Sequence, residues 1–269
     1  MLVGNPMILR QLPLDMAMRK TAESGFDALE MWLPQLAEAR TPELRRKVGE
    51  FAESLGTPLV RLNVADPDYL QELTGPQDVA KAVEGLKHDI DFAADLGMTE
   101  VLSWEGRIPK GATRDDLYGW VLDETVNIFQ KAVDYGRTRG VKVLTEIHPF
   151  TLGIDTEWAV QLCDRIDDFG VVYDCSHFGV GLPDSYIEAI HTLGKRIRHI
   201  HFCDSDKKSS EVHFAVGTGC LDLDGIVDAF KEIGFDGTVM VDLWLYPLPE
   251  EGTKVGVPYC REVIEKLGL

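Results

Sequence analysis

Short apolar runs alternate with longer amphipathic stretches from one end of the chain to the other. The runs at 2–4, 28–32, 59–62, 100–103, 142–146, 171–173, 197–201 and 239–241 have the length and residue types of buried β-strands. The stretches between them, 13–24, 42–55, 77–96, 114–139, 156–169, 184–193, 224–233 and 258–267, carry apolar residues at helical spacing. Strict strand–helix alternation predicts a parallel sheet, because each crossover between parallel strands must be long enough to hold a helix. Eight such units in roughly 250 residues predict a (β/α)8 TIM barrel, an α/β fold.

Local punctuation agrees. Gly25, Gly56, Gly97, Gly140, Gly170, Gly194 and Gly234 each follow an amphipathic stretch and are expected to stop a helix. Pro42, Pro183 and Pro258 are expected just before or at helix starts. Linkers rich in Gly, Ser or Pro are missing, so residues 1–269 read as a single domain. The rival architecture, an open doubly wound sheet, would usually carry a glycine-rich phosphate turn after its first strand. Here Asn5-Pro6-Met7 stands in that place, and no G-x-G-x-x-G occurs.

Composition narrows the functional classes. Hydrophobic residues make up 45% of the 269, enough for a full core, and no apolar run has the length of a membrane span. The five cysteines are odd in number and form no CxxC pair, which points to reduced thiols and a cytoplasmic protein. The N-terminal stretch does not have the pattern of a signal peptide. A formal net charge of −18 repels phosphate backbones, so no nucleic-acid partner is expected.

The candidate chemistry sits at the ends of the later strands. Glu146, Asp174, His201 and Asp242 each stand at or just past an apolar run, about one βα unit apart. In a barrel, side chains at the C-terminal strand ends converge on one mouth. Each residue alone has an ordinary explanation: a helix cap, a salt bridge, a satisfied core histidine. Four costly charged or polar groups on four successive strands are better explained by a shared partner. Three carboxylates and an imidazole make a hard, oxygen-rich set that suits Mn²⁺, with Mg²⁺, Co²⁺ or Zn²⁺ as alternatives. A structural zinc site would use thiolates and be closed.

Further candidates surround them. Glu30, near the end of the second strand, and Trp104 and Glu105, which precede Arg107 after the fourth, are expected to line the mouth and bind substrate, and His213, on the long loop after the seventh, is expected to close over the mouth and bind it too. His148 falls two residues past Glu146, on the same face of an extended chain, and is a candidate second base. Trp244 and Tyr246 are candidate pocket walls, while His88 and His191 fall within helices and are assigned to surface or packing.

Several segments together resemble the xylose isomerase-like sugar isomerase/epimerase superfamily of metal-dependent barrels. They are Gly25-Phe26-Asp27-Ala28-Leu29-Glu30, Leu144-Thr145-Glu146-Ile147-His148, Tyr173-Asp174-Cys175-Ser176-His177, Arg198-His199-Ile200-His201, Gly217-Thr218-Gly219-Cys220-Leu221-Asp222 and 234–242. The resemblance implies four metal ligands, Glu146, Asp174, His201 and Asp242, with His177 near substrate oxygens. Two positions depart from the pattern. The last ligand is usually glutamate and is Asp242 here, and a lysine common two residues after the strand-seven histidine is replaced by Cys203.

On this reading the chain is a divalent-metal-dependent isomerase or epimerase of a ketose or related carbonyl polyol, working through an enediolate. Glu146 would remove the proton and Asp242 return it. The alternative is a lyase on the same scaffold, a dehydratase or an enzyme that cleaves an oxidised glycoside. An endonuclease of the same barrel class would need several histidines on the early strands, and only His88 precedes Glu146. A non-catalytic barrel that needs a partner chain is the remaining reading. The expected partner is a small carbohydrate, with no membrane association and a homo-oligomer as an open possibility.

Overall fold

In a computed structural model that describes residues 1–65, 67–68 and 76–269, the chain forms a closed barrel of parallel strands in sequence order, β1 to β8. The strands are β1 (Leu2–Gly4), β2 (Ala28–Trp32), β3 (Leu59–Ala65), β4 (Glu100–Ser103), β5 (Lys142–Glu146), β6 (Gly170–Asp174), β7 (Ile197–Phe202) and β8 (Thr238–Val241). Closure is made by β1 pairing with β8, Leu2 with Val239 and Val3 with Met240. Among the described residues, no helix is long and apolar enough to cross a membrane.

The helices pack outside this barrel. They are α1 (Leu14–Glu23), α2 (Pro42–Ser54), α3 (Pro76–Asp95), the single turn α4 (Arg114–Asp116), α5 (Leu122–Arg139), α6 (Thr156–Asp164), α7 (Cys175–Gly181), α8 (Tyr186–Leu193), α9 (Leu223–Glu232) and α10 (Pro249–Leu267). A wide turn at Leu117–Val121 joins α4 to α5, so the single helix expected there is built in three pieces. Side-chain caps set several starts: Thr41 on α2, Asp155 on α6 and Asp222 on α9 accept from backbone N–H groups of their first turns.

The hydrophobic core falls into two parts. Most buried apolar residues lie between the outer strand faces and the helices. Inside the barrel Leu102, Leu144 and Val172, from β4, β5 and β6, form a separate apolar cluster. The part contributed by β2, β3 and β7 holds Glu30, Arg61, Asn63, His199 and His201. An interior that is apolar on one side and charged on the other is what places the chemistry.

Three sequence expectations are corrected. Gly170 does not stop a helix; it opens β6, and the left-handed turn before it is made by Asp168 (φ 65°). The helix before it ends at Asp164, short of the expected 169. Pro258 does not start the last helix, which begins at Pro249 and runs through it. Small residues on that first half, Gly252 and Gly256, lie against Leu243 and Val241, so packing on β8 offsets the backbone bond that an internal proline removes. The short helix α7 was not anticipated, because its sequence, Cys175-Ser176-His177-Phe178-Gly179-Val180-Gly181, has poor helix propensity.

Close approach of α5 to the loop entering β5 depends on Gly136. A Cβ placed there would lie 2.3 Å from the Val141 carbonyl oxygen. Gly136→Ala is therefore expected to lower stability by about 1–3 kcal/mol, read as a fall in the denaturation midpoint. An unchanged midpoint would contradict this packing.

Candidate metal centre

The barrel mouth gathers the groups expected from the sequence. β5 ends on Glu146, β6 ends on Asp174, His201 is the penultimate residue of β7, and Asp242 follows β8. Sheet register sets Asp174 directly beside His201. The Asp242 amide donates to the Phe202 carbonyl at 3.1 Å, which holds it at the same level. All four side chains are buried.

Distances define the cluster. His201 Nδ1 lies 2.7 Å from Glu146 Oε1, 3.6 Å from Asp174 Oδ2 and 3.6 Å from Asp242 Oδ2. Glu146, Asp174 and His201 present ligand atoms all within 4.8 Å of one another, a grouping able to hold a metal ion. Asp242 stands at its edge. Its Oδ2 faces His213 Nδ1 at 2.8 Å, and its Oδ1 accepts from the Trp244 amide at 3.1 Å. The shorter aspartate arm is thus tied to a histidine.

Asp174 has two tasks. Oδ1 caps α7 by accepting from the His177 amide at 2.8 Å. Oδ2 is buried and has no hydrogen-bond partner, and neither ring nitrogen of His201 makes a hydrogen bond of acceptable geometry. Unsatisfied buried polar atoms are expensive. Here Asp174 Oδ2 and His201 Nδ1 point to a common space beside a third acceptor, which fits a divalent cation.

Charge balance explains the protonation states. Burial would push His201 down, but the charges of Glu146 and Glu30 outweigh it and hold the ring well above its ordinary value. His213, also opposed by burial, is raised to about 10 by Asp174 and Asp242. Geometry agrees for His213: its two ring nitrogens face the Asp242 carboxylate and the Ser210 carbonyl, both acceptors, so both nitrogens carry hydrogen. Burial likewise opposes ionisation of Glu146, yet the His201 and His148 rings hold its carboxyl well below the usual range. His177 is driven the other way, to about 3, chiefly by burial, and stays neutral.

Below the mouth lies a second charged layer. Glu30 is fully buried inside the barrel. Its Oε1 accepts from Asn63 Nδ2 at 3.0 Å, and its Oε2 accepts from Arg61 at 3.1 Å. The same Oε2 is 3.6 Å from His201 Nε2 and 3.5 Å from His199 Nε2. Arg61 continues to Glu100 and to Thr238. A carboxylate behind a metal-facing imidazole fixes its orientation and raises its basicity.

Several expected roles change. Glu30 is not at the substrate surface; it lies under His201. Glu105 does not line the cavity either. It is fully buried, its oxygens accepting from Thr145 Oγ1 at 2.8 Å and the Gly153 amide at 2.6 Å, and it locks the loop after β5. His213 does not close over the mouth; it is buried against Asp242. His148, His177, His213, Trp104, Arg107 and Trp244 do line the cavity, which has a volume of about 480 Å³, and Tyr246 does not. His148 Nε2 is 3.4 Å from Glu146 Oε2, and its ring packs in tilted contacts on Trp104 and His177, with centroids 3.9 and 3.8 Å away.

Sequence reasoning missed Met7, Trp32, Asn63, Phe150 and Glu211 in the cavity wall. It also missed Arg61 and His199 beneath it. The signal for His199 was present, since it lies two residues before His201 and so on the same strand face. Arg61 stood as a lone cation within an apolar run. At the ends of β1 to β4 the cavity is lined by Met7, Trp32, Asn63 and Trp104, so the early strands bring no imidazole for a multi-metal cluster.

Comparison with known proteins adds family context. A family model described as xylose isomerase-like TIM barrel matches residues 18–263. An uncharacterised protein of Methanocaldococcus jannaschii is 26% identical over 242 residues, 85% of this chain and 78% of its own. The fructoselysine 3-epimerase of Shigella flexneri is 22% identical over 266 residues, 96% of this chain and 93% of its own. The crystal structure of the IOLI protein with a zinc atom superposes with a TM-score of 0.77 at 19% identity, covering 99% of this chain and 97% of that one.

The buried layer gives a direct test. Glu30→Gln keeps the volume but leaves Arg61 without its fully buried counter-charge. In metal-free protein it is expected to lower unfolding free energy by about 3 kcal/mol, measured by denaturant titration. A loss too small to measure would show that the layer is not coupled as described.

Proposed function

The chain belongs to the xylose isomerase-like TIM barrel family, and from that premise and the geometry of the mouth we propose that it is a divalent-metal-dependent epimerase or isomerase of a hydroxy-carbonyl sugar. The observation that carries this reading is the convergence of Asp174 Oδ2 and His201 Nδ1, buried and without hydrogen-bond partners, beside Glu146 and Asp242. The relatives of this chain include sugar isomerases and epimerases, which supports the same class. Glu146, Asp174, His201 and Asp242 would hold the ion. The hard donor set favours Mn²⁺, with Mg²⁺, Co²⁺ or Zn²⁺ able to replace it. When bound, the ion supplies Lewis-acid polarisation of the substrate carbonyl and its neighbouring hydroxyl.

The protein groups divide the remaining work. Glu146 is ionised at neutral pH and is the base that takes the proton from the carbon beside the carbonyl. The ring of His148, 3.4 Å away, and the neutral ring of His177, 3.9 Å away, flank its oxygens and can steady the carboxylate and donate to substrate hydroxyls. Asp242 Oδ2 lies 3.6 Å from the same His201 nitrogen that Glu146 Oε1 approaches to 2.7 Å. His213 Nδ1 carries a proton 2.8 Å from Asp242 Oδ2, so a proton can pass through Asp242 to the opposite face of the enediolate. Return from the opposite face inverts configuration, which favours epimerisation. Elimination is the less favoured alternative, since the relatives include a fructoselysine 3-epimerase and an inosose isomerase.

The experiment is incubation of the protein with a panel of ketoses in D₂O, read by NMR. Deuterium entering a carbinol carbon, abolished by a chelator and restored by Mn²⁺, is the expected result. Exchange that survives full metal removal, or loss of water or an aglycone instead of exchange, would overturn the proposal. Glu146→Gln is expected to lower the exchange rate by about 100-fold or more.

The layer beneath His201 extends the same test. If Glu30 orients His201 toward an ion, Glu30→Gln weakens Mn²⁺ binding by about 10–100-fold, measured by competition with a chelating dye. Unchanged affinity would remove Glu30 from this role.

A further inference from the structure

Above the charged floor the cavity changes character. Three of the five tryptophans of the chain line it, together with Phe150 and Met7. They form two groups. Trp32, ending β2, and Trp244, after β8, pack with ring centroids 5.4 Å apart, and the Arg10 guanidinium lies 4.6 Å from the Trp244 ring. Trp104, after β4, and Phe150, after β5, pack with centroids 5.4 Å apart, and the Arg107 guanidinium lies 4.7 Å from the Phe150 ring. In an eight-strand closed barrel the β8–β1–β2 arc faces the β4–β5 arc across the axis. The mouth is therefore a slot between two aromatic walls, each covered by an arginine.

Buried hydrogen-bonding atoms without partners are concentrated at the floor. On the walls, Glu211 accepts from Trp244 Nε1 at 3.3 Å, and Asn63 donates its amide to Glu30. His213 uses both ring nitrogens. Of the buried ring nitrogens without partners in the cavity lining, both of His148, Nδ1 of His177 and both of His201 sit beside Glu146 at the floor, and Trp104 Nε1 alone lies on a wall. A short hydroxy-carbonyl unit is well served at the floor. A sugar with free hydroxyls along its whole length would press the far ones against aromatic faces. The cavity volume of about 480 Å³ lies within the ~300–1,000 Å³ that houses a drug-sized ligand.

We propose that the substrate is a sugar ketone carrying a planar aromatic substituent, with its hydroxy-carbonyl end on the charged floor and its aromatic ring between the Trp32–Trp244 and Trp104–Phe150 walls. This rests on the hydroxy-carbonyl reading of the floor. Aromatic rings gain from stacked and edge-to-face contacts beyond the area they bury. The segment carrying the Trp244 wall is held in a special conformation, with Leu245 in the left-handed region at φ 54°.

The test compares the phenyl and methyl glycosides of one 3-keto-hexose, and the free ketohexose, by calorimetric titration into the Mn²⁺-loaded protein. The phenyl glycoside is expected to bind about tenfold tighter than the methyl glycoside. Trp32→Ala and Phe150→Ala, on opposite walls, should each narrow that ratio, and either variant that stays folded serves. Equal affinity of the two glycosides, tighter binding of the free ketohexose, or binding of neither would overturn the proposal. Deuterium exchange is followed on the same compounds. A phenyl preference without exchange upholds the aromatic slot and rejects the floor chemistry, whereas exchange without a phenyl preference does the reverse.

Discussion

Three carboxylates buried around one imidazole cannot all remain ionised unless positive charge lies between them. That constraint organises the barrel mouth. Glu146, Asp174 and Asp242 each have an oxygen within 3.6 Å of His201 Nδ1. Without a cation, their mutual repulsion in a dry setting would be costly. In the metal-free protein the balancing charge comes from protons on His201 and His213. A divalent ion would replace at least part of that charge at the same place.

The consequences run outward from there. Glu30 stands behind His201, and the His201 and His199 rings together with the Arg61 guanidinium keep it ionised inside the barrel. This accounts for a barrel interior that is apolar at Leu102, Leu144 and Val172 and charged on the other side. It also accounts for His213. The aspartate at the end of β8 has a short arm, and the buried imidazole fixes its position while supplying a proton.

Much of this was legible in the chain. The period of the apolar runs gave the barrel, because strands sealed on both faces by core and helices read as uninterrupted apolar runs. Glu146, Asp174 and His201 were legible as a group because charged or polar side chains recur at the ends of successive strands. Glu30 and Glu105 were misassigned for the same reason. One dimension of sequence shows that a carboxylate is near a strand end, but not whether it points up into the mouth, down the axis or into a loop. His213 lies eleven residues after β7 ends at Phe202, and its approach to Asp242 depends on the pairing of Asp204 with Phe214, which no local pattern announces. The extra turns of α10 were hidden because tertiary packing on β8 overrode the local signal of Pro258.

The central claim is that protons on His201 and His213 hold the place of a divalent cation between the three carboxylates. Calorimetric titration of Mn²⁺ into chelator-treated protein at pH 7, in two buffers of different ionisation enthalpy, tests it most directly. The account predicts saturable binding of a single ion per chain with release of at least one proton, since ligands must lose their protons to bind metal. Binding without proton release, or no saturable binding, would contradict it.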